Sequence, residues 1–185
     1  MKTGKRRWIV LAVVLVLAAG WIWFSWPRSL EKLFPRFSWA EVDHVNGWYT
    51  YYKADPDPEA LPGSLLSWDG TMETVEAGEV GELLELYEGT SFRRSLPKTL
   101  SANNPWGGSW SKEMTDGEIY VILSFGTSDG YLFMDLYRDE ARLFYVAYGK
   151  GSGLTIRGSF SGGDELAVRT LALLQDHAEE SENRE

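Results

Sequence analysis

Residues 118–160 read EIYVILSFGTSDGYLFMDLYRDEARLFYVAYGKGSGLTIRGSF and contain four β-rich runs separated by short segments rich in Gly and Asp. Parallel strands need a long crossover connection, and these segments are too short for one, so the runs predict an antiparallel meander. Within the second run, aliphatic side chains alternate with aromatic or charged ones: Leu132, Phe133, Met134, Asp135, Leu136 and Tyr137. One face of the sheet is therefore aliphatic, and we expect it to face the core.

Two helices are predicted to cover that face. Apolar residues recur at helical spacing in residues 74–88 and again in residues 163–177. Thr74 is the expected N-cap of the first helix, and Gly89 is expected to end it in the left-handed conformation. The predicted fold class is α+β, with one antiparallel meander sheet, two helices packed on one of its faces, and one transmembrane helix before it.

Further strands are predicted upstream of the meander. The dipeptide Asn-Gly at 46–47 favours a tight hairpin turn in an aromatic segment, so we expect strands over 38–45 and 48–53. Asp-Gly at 69–70 predicts a second hairpin for the same reason. One short strand is expected within residues 91–96.

An uncharged apolar run, WIVLAVVLVLAAGWIWFSW, occupies residues 8–26 directly after a basic leader. A helix of this length spans about 28 Å, which is close to the hydrocarbon thickness of a bilayer. The alternative is a cleaved signal peptide, which would leave a secreted protein. Trp21, Trp23 and Trp26 keep the run apolar and aromatic where a signal peptide would turn polar, which favours an uncleaved anchor.

This interpretation gives the chain an orientation and five segments. Four basic side chains precede the run, and the positive-inside rule keeps such a leader in the cytoplasm. The expected segments are a cytoplasmic leader at 1–7, a transmembrane anchor at 8–26, a juxtamembrane stem at 27–36, an extracytoplasmic α+β domain at 37–178 and a disordered acidic tail at 179–185.

Charge and cysteine content narrow the class of partner. Four of the 18 lysines and arginines lie in residues 1–7, so the rest of the chain has 14 of them against 27 aspartates and glutamates. An acidic domain repels the phosphates of nucleic acid, so no nucleic-acid partner is expected. The chain has no cysteine, which excludes disulfides, thiol chemistry and a lipid-modified cysteine.

The search for catalytic or metal-binding motifs favours a non-catalytic protein. The two histidines, His44 and His177, do not stand in a zinc-ligand spacing, and no activated-serine motif is present. Residues 149–153, GKGSG, lead into a strand and lack phosphate-loop spacing, so they predict a hairpin turn. We expect no metal and no cofactor.

One enzymatic alternative stays open. A carboxylate-dependent hydrolase would need two carboxyl groups facing each other across a cleft. The candidates for such a pair are Glu118, Asp135, Asp139 and Glu140.

Two features are candidates for ligand binding. Trp106 and Trp110 lie in the Gly-rich segment NNPWGGSW, where exposed indole rings would suit a glycan or a peptide. The alternative is that these rings fold back to cover the sheet. Arg93, Arg94 and Lys98 form a small basic island in an acidic domain and would suit a carboxylate or a phosphate, unless they only line a solvated strand face.

The order of the segments resembles that of small exported α+β proteins of unknown function from Gram-positive anaerobes. The resemblance lies in the helix EVGELLELYEG, the strand SFRR, the hairpins ending in YRDEARLFYVAYGKGSG and the helix DELAVRTLALLQ. It implies a cell-envelope location and a binding or sensing role. We therefore expect a single-pass envelope protein that binds a peptide, a glycan or another envelope protein; the alternatives are an accessory subunit of a membrane complex and the hydrolase.

Overall fold

The computed structural model describes residues 2–57, 59, 61, 63–102, 115–137, 140–149 and 155–184. The helices are α1 (Lys2–Ser25), α2 (Leu30–Leu33), α3 (Gly81–Glu88), α4 (Leu96–Ala102) and α5 (Gly163–Gln175), with one 3₁₀ turn at Trp39–Glu41. The strands are β1 (Val42–Ala54), β2 (Leu65–Glu76), β3 (Phe92–Arg94), β4 (Ile119–Thr127), β5 (Gly130–Tyr137), β6 (Glu140–Ala147), β7 (Thr155–Phe160) and β8 (Glu179–Arg184).

The strands form one antiparallel sheet in the order β3-β7-β6-β5-β4-β1-β2-β8. Strands β4 to β7 follow one another in sequence and in space, so the predicted meander is confirmed. The α+β fold class is confirmed with it.

The core lies between the aliphatic face of the sheet and the two longer helices of the domain. Leu123, Met134 and Leu143 pair across three adjacent strands and are fully buried. Leu174 of α5 is fully buried on this face, and Tyr87 of α3 donates or accepts a buried 2.7 Å hydrogen bond with the Thr170 hydroxyl of α5. Burial raises the pKa of Tyr87 far above its ordinary value, against a smaller lowering by the Thr170 hydrogen bond.

Both predicted upstream hairpin turns were wrong, because their glycines make room for neighbouring side chains. Strand β1 runs through residues 46–47 with a bulge between Val45 and Gly47, and β2 runs through residues 69–70. A Cβ on Gly47 would lie 2.7 Å from the Leu174 side chain, and one on Gly70 would overlap the Tyr49 ring. Glycine is therefore required here for close packing within strands.

The predicted helix at 74–88 begins later than expected. Thr74 belongs to β2, which stays paired with β1 as far as Glu76, and Val80 is the N-cap of α3. Strand pairing has overridden the local helical pattern. Gly89 has a φ of −74°, so the expected left-handed end was wrong. The last helix and the short strand β3 were predicted correctly.

The predicted stem at 27–36 is part of the folded domain. Leu30 and Phe34 are buried in the core beside Phe37, so the domain begins before residue 37. The Arg28 amide donates to the Phe92 carbonyl at 3.0 Å, and the Phe92 amide donates back at 2.7 Å. Leu30 and Phe34 lie one helical turn apart in this Pro-containing segment, and that spacing suffices to bury one turn of helix.

The predicted disorder of the tail at 179–185 was also wrong, since residues 179–184 form β8. This strand pairs with β2, from Leu66 opposite Arg184 to Thr71 opposite Glu179. Backbone hydrogen bonds to an otherwise open edge do not require apolar side chains, so an acidic sequence can supply the edge strand.

Helix α1 matches the predicted apolar span. Its segment Arg6–Ser25 is long and apolar enough to cross a membrane, and its side chains from Trp8 to Trp23 are exposed. Length and composition therefore support membrane association, while the orientation of the chain stays a prediction.

Candidate binding surface

The side of the sheet opposite α3 and α5 carries a row of aromatic side chains. Strand alternation places them there, because residues of the same strands with the other parity fill the core. We call this surface the aromatic face; its residues are Trp48, Tyr120, Tyr131, Phe133 and Phe144. All five are partly exposed.

The rings of the aromatic face contact one another across strands. Trp48 and Tyr120 meet edge to face with centroids 5.6 Å apart. The ring centroid of Phe133 lies 5.9 Å from that of Tyr131 along β5 and 6.5 Å from that of Phe144 on β6. These contacts hold the rings in place, so the surface is largely preformed.

A groove of about 560 Å³ crosses this face over β2, β1, β4 and β5. Apolar groups line it at Trp48, Ile122 and Phe133, and polar groups line it at Thr71 and Glu73. Aromatic surface combined with a few hydroxyl and carboxylate groups is the usual composition of a small ligand site.

A hydrogen-bonded chain of polar side chains lies at one end of the face. Asp43 accepts a hydrogen bond from His44 Nδ1, which leaves Nε2 of a neutral imidazole as an acceptor for the Tyr131 hydroxyl, 3.2 Å away. Tyr148, which is exposed, shares a hydrogen bond with Tyr131, and this bond is the main cause that raises the pKa of Tyr148. Two phenol groups are thus oriented at the edge of the aromatic face.

The backbone leaves space for this histidine. A Cβ on Gly126 of β4 would overlap the His44 ring, so the ring can lie this close to β4 only because residue 126 is glycine. In the sequence, His44 stands out only for its lack of zinc-ligand spacing. A glycine inside the β-rich run EIYVILSFG was the available signal of a close approach.

An acidic group lies among the aromatic rings. Asp135 forms an ion pair with Arg142, with Nε and Oδ2 3.5 Å apart. Burial raises the pKa of Asp135, and the Arg142 charge opposes this effect. Burial, followed by the charge of Asp135, raises the pKa of Tyr120.

The candidate carboxylates for a hydrolase have separate structural partners. Glu118 is buried and accepts hydrogen bonds from the Thr115 amide, the Thr115 hydroxyl and the Tyr137 hydroxyl at 3.0, 2.9 and 2.6 Å. Glu140 forms ion pairs with Arg157 at 2.7 Å and Lys98 at 2.9 Å. Asp139 lies outside the described residues.

Within the part of the chain that the structure describes, no three His, Asp or Glu side chains are grouped so that they could hold a metal ion.

The two predicted ligand-binding residues that the structure describes, Arg93 and Arg94, do not lie on the aromatic face. Arg93 and Arg94 lie on β3 at the edge of the sheet, and three strands separate them from β4. Arg94 contacts the end of α1, where its Nε donates to the Phe24 carbonyl at 3.0 Å. Trp106 and Trp110 lie outside the described residues.

No protein-family profile, curated protein or solved structure matches this chain. The resemblance to small exported proteins of Gram-positive anaerobes therefore stays a prediction.

Proposed function

We propose that this chain is a single-pass membrane-anchored binding module, with its N-terminus in the cytoplasm and its domain in the cell envelope, that binds glycan through the aromatic face. The preformed row of partly exposed rings beside the groove carries the proposal. A non-catalytic role fits the separate structural partners of Glu118 and Glu140.

The position of the face in the sheet favours a glycan over a peptide. Peptides commonly bind a sheet by adding a strand at an open edge, where backbone groups are free. The aromatic face lies on β1, β4, β5 and β6, which are paired with a strand on each side. Recognition there depends on side chains, and flat rings flanked by phenol and carboxylate groups suit the apolar faces and hydroxyl groups of a sugar chain.

Trp106 and Trp110 stay proposed contacts of the same ligand, because indole rings in a Gly-rich segment would add stacking surface. Their contribution is tested by a Trp106→Ala, Trp110→Ala double variant assayed alongside the aromatic-face variants described next.

The experiment is a glycan array probed with the full chain in nanodiscs, followed by titration of any ligand that binds. Trp48→Ala removes an aromatic ring that lines the groove and is expected to weaken binding at least tenfold. The matched control is Trp68→Ala, since Trp68 belongs to the same sheet but stacks on Tyr51, away from the aromatic face.

Equal affinities of the Trp48→Ala variant and the parent would contradict the proposal for this face. Binding to a peptide library but not to glycans would show that the proposed ligand class is wrong, while the aromatic face would remain the proposed binding surface. Far-ultraviolet circular dichroism of each variant shows that lost binding is not lost folding.

The accessory-subunit alternative has one observation in its favour, which is the exposure of the apolar side chains of α1. Replacing residues 8–22 with an unrelated apolar helix separates the two functions. The glycan-binding function survives this exchange, whereas an accessory subunit that recognises its complex through the anchor loses its activity.

A further inference from the structure

The end of α1 is attached to the edge of the sheet by a pair of arginines. Arg28 Nη2 donates a hydrogen bond to the Trp23 carbonyl at 3.1 Å, and its guanidinium lies 4.4 Å from the centre of the Trp23 ring. Arg94 Nε donates to the Phe24 carbonyl, and its guanidinium lies 4.2 Å from the Phe24 ring. Both cations therefore meet the last turn of the helix, where the helix dipole is negative.

The junction is also joined through the backbone. The reciprocal hydrogen bonds between Arg28 and Phe92 connect the chain leaving α1 to strand β3. Arg94 contacts the last turn of α1 directly, and Arg93, the residue before it on the same edge strand, is exposed. The domain is thus fixed to its anchor, in contrast to a domain on a free linker.

These arginines lack acidic partners in the part of the chain that the structure describes. Arg142 and Arg157 of the same sheet are paired with Asp135 and Glu140. At the junction, by contrast, the neighbour of Arg94 is another arginine: burial, and then the charge of Arg28, lowers the pKa of Arg94. Arg94 Nη2 is buried with no hydrogen-bond partner among the described residues.

Three indole rings indicate the depth at which this junction lies in a bilayer. Trp21, Trp23 and Trp26 are 51%, 66% and 63% exposed at the same end of α1. Tryptophans at the end of a membrane span lie at the level of the lipid headgroups. A span that ends here places Arg28 and β3 at the depth of the lipid phosphates, and Arg93 is exposed there.

We infer that Arg28, Arg93 and Arg94 form a binding surface for the phosphate groups of bilayer phospholipids, which holds the domain against the membrane. Guanidinium groups bind phosphate through paired, charge-assisted hydrogen bonds. Phosphates supply the counter-charge that the described part of the domain does not. The inference rests on the proposed anchoring but does not depend on the ligand of the aromatic face.

The acidic remainder of the domain makes this contact directional. The chain after residue 7 has 14 basic against 27 acidic side chains, so most of its surface is repelled by anionic lipid. The arginine surface at the end of the anchor has the opposite charge. The domain is therefore held in one orientation, with β3 toward the headgroups.

The test measures contact between arginine and lipid phosphorus directly. The full chain, with ¹³C at every arginine Cζ, is placed in phosphatidylglycerol nanodiscs in phosphate-free buffer, and carbon–phosphorus dipolar dephasing is recorded by solid-state NMR. Arg93→Gln is expected to lower the dephased ¹³C signal by the amount that one arginine in contact with phosphate contributes. Arg93 is exposed, so this variant is expected to fold like the parent.

The matched control is Arg169→Gln, which removes an exposed arginine of α5 and is expected to leave the dephased signal unchanged. Arg6 and Arg7 contribute equally to all three samples, so the difference between variants is independent of the leader. An unchanged dephased signal in Arg93→Gln would overturn the inference. The intact mass of each sample shows whether residues 8–26 are still present. A full-length chain with an unchanged signal contradicts the arginine contact, whereas a shortened chain contradicts the anchoring.

Discussion

Arg94 of the sheet donates its Nε hydrogen to the carbonyl oxygen of Phe24 in the apolar helix, across 3.0 Å and 70 residues of sequence. Carbonyl groups in the last turn of a helix have no partner within that helix. In this chain, a side chain of the folded domain satisfies one of them. The position of the domain relative to the anchor is therefore part of the fold.

Breaking that contact is expected to loosen β3 from the anchor. Arg94→Gln in the nanodisc-bound full chain removes a charge-assisted hydrogen bond and the contact with the Phe24 ring, worth about 1 to 2 kcal/mol. Hydrogen exchange at the Phe92–Arg94 amides should accelerate by about tenfold. Arg169→Gln is the control, and equal exchange rates in the two variants would show that Arg94 does not hold the junction.

Gly70 and Gly81 provide a matched test of the close packing that replaced the predicted hairpin. Gly70→Ala places a methyl group in the ring of fully buried Tyr49 and should lower the free energy of unfolding by about 3 kcal/mol. Gly81→Ala has open space around its new methyl group and should raise stability by up to about 1 kcal/mol. Urea unfolding measures the free energy of unfolding of both variants. An unchanged value for Gly70→Ala would mean that β2 shifts easily to make room for the methyl group.

The contrast between these glycines explains what the sequence could predict. The meander at 118–160 and the helix at 163–175 depend on local periodicity, and both were predicted correctly. Whether an Asn-Gly or Asp-Gly pair turns the chain depends on distant side chains. Tyr49 fills the space above Gly70 from 21 positions away, and no local pattern contains that information.

The candidate surface was missed for a related reason. Alternation in β5 already gave one aliphatic face and one aromatic or charged face, but only strand order shows that Trp48 lies near Tyr120. The residue types that stand out in the sequence are the indoles of a Gly-rich segment and the arginines of a basic island. The position of His44 could not be predicted for the same reason, because the glycine that accommodates its ring is residue 126 of another strand.

Tyr87 predicts a loss of stability in alkaline solution. Its folded-state pKa is raised by burial above the ordinary value of about 10, so the folded chain keeps a proton that the unfolded chain releases. The contribution is fully present below pH 10 and is lost as the pH rises toward the folded value, by about 1.4 kcal/mol per pH unit. The measurement is the unfolding free energy of the parent and of Tyr87→Phe between pH 8 and about 11.

Tyr87→Phe should be less stable than the parent at pH 8 by about 1 kcal/mol, because the hydrogen bond between Tyr87 and Thr170 is lost while Thr170 keeps its bond to the Leu166 carbonyl. Above pH 10 the two curves should converge, since the variant has no proton to release at this position. Parallel curves over the whole range would show that residue 87 is not the group responsible. Thr170→Val is the control that removes the hydrogen bond and keeps the phenol.

Removing the last strand should destabilise β2 and expose its edge. A chain ending at Ala178 lacks β8, so the β2 backbone from Leu66 to Thr71 loses its partner strand. Hydrogen exchange of the amides in this range that face β8 should accelerate by at least tenfold, and the truncated chain should self-associate, because an unpaired edge accepts strands from other molecules. The control keeps the length but replaces the adjacent residues 180 and 181 with proline; amide direction alternates along a strand, so one of the two faces β2, and proline cannot donate to a strand ladder. Because both changes remove backbone pairing, both should have the same effect, whereas unchanged exchange in the truncated chain would restore the prediction of a disordered tail.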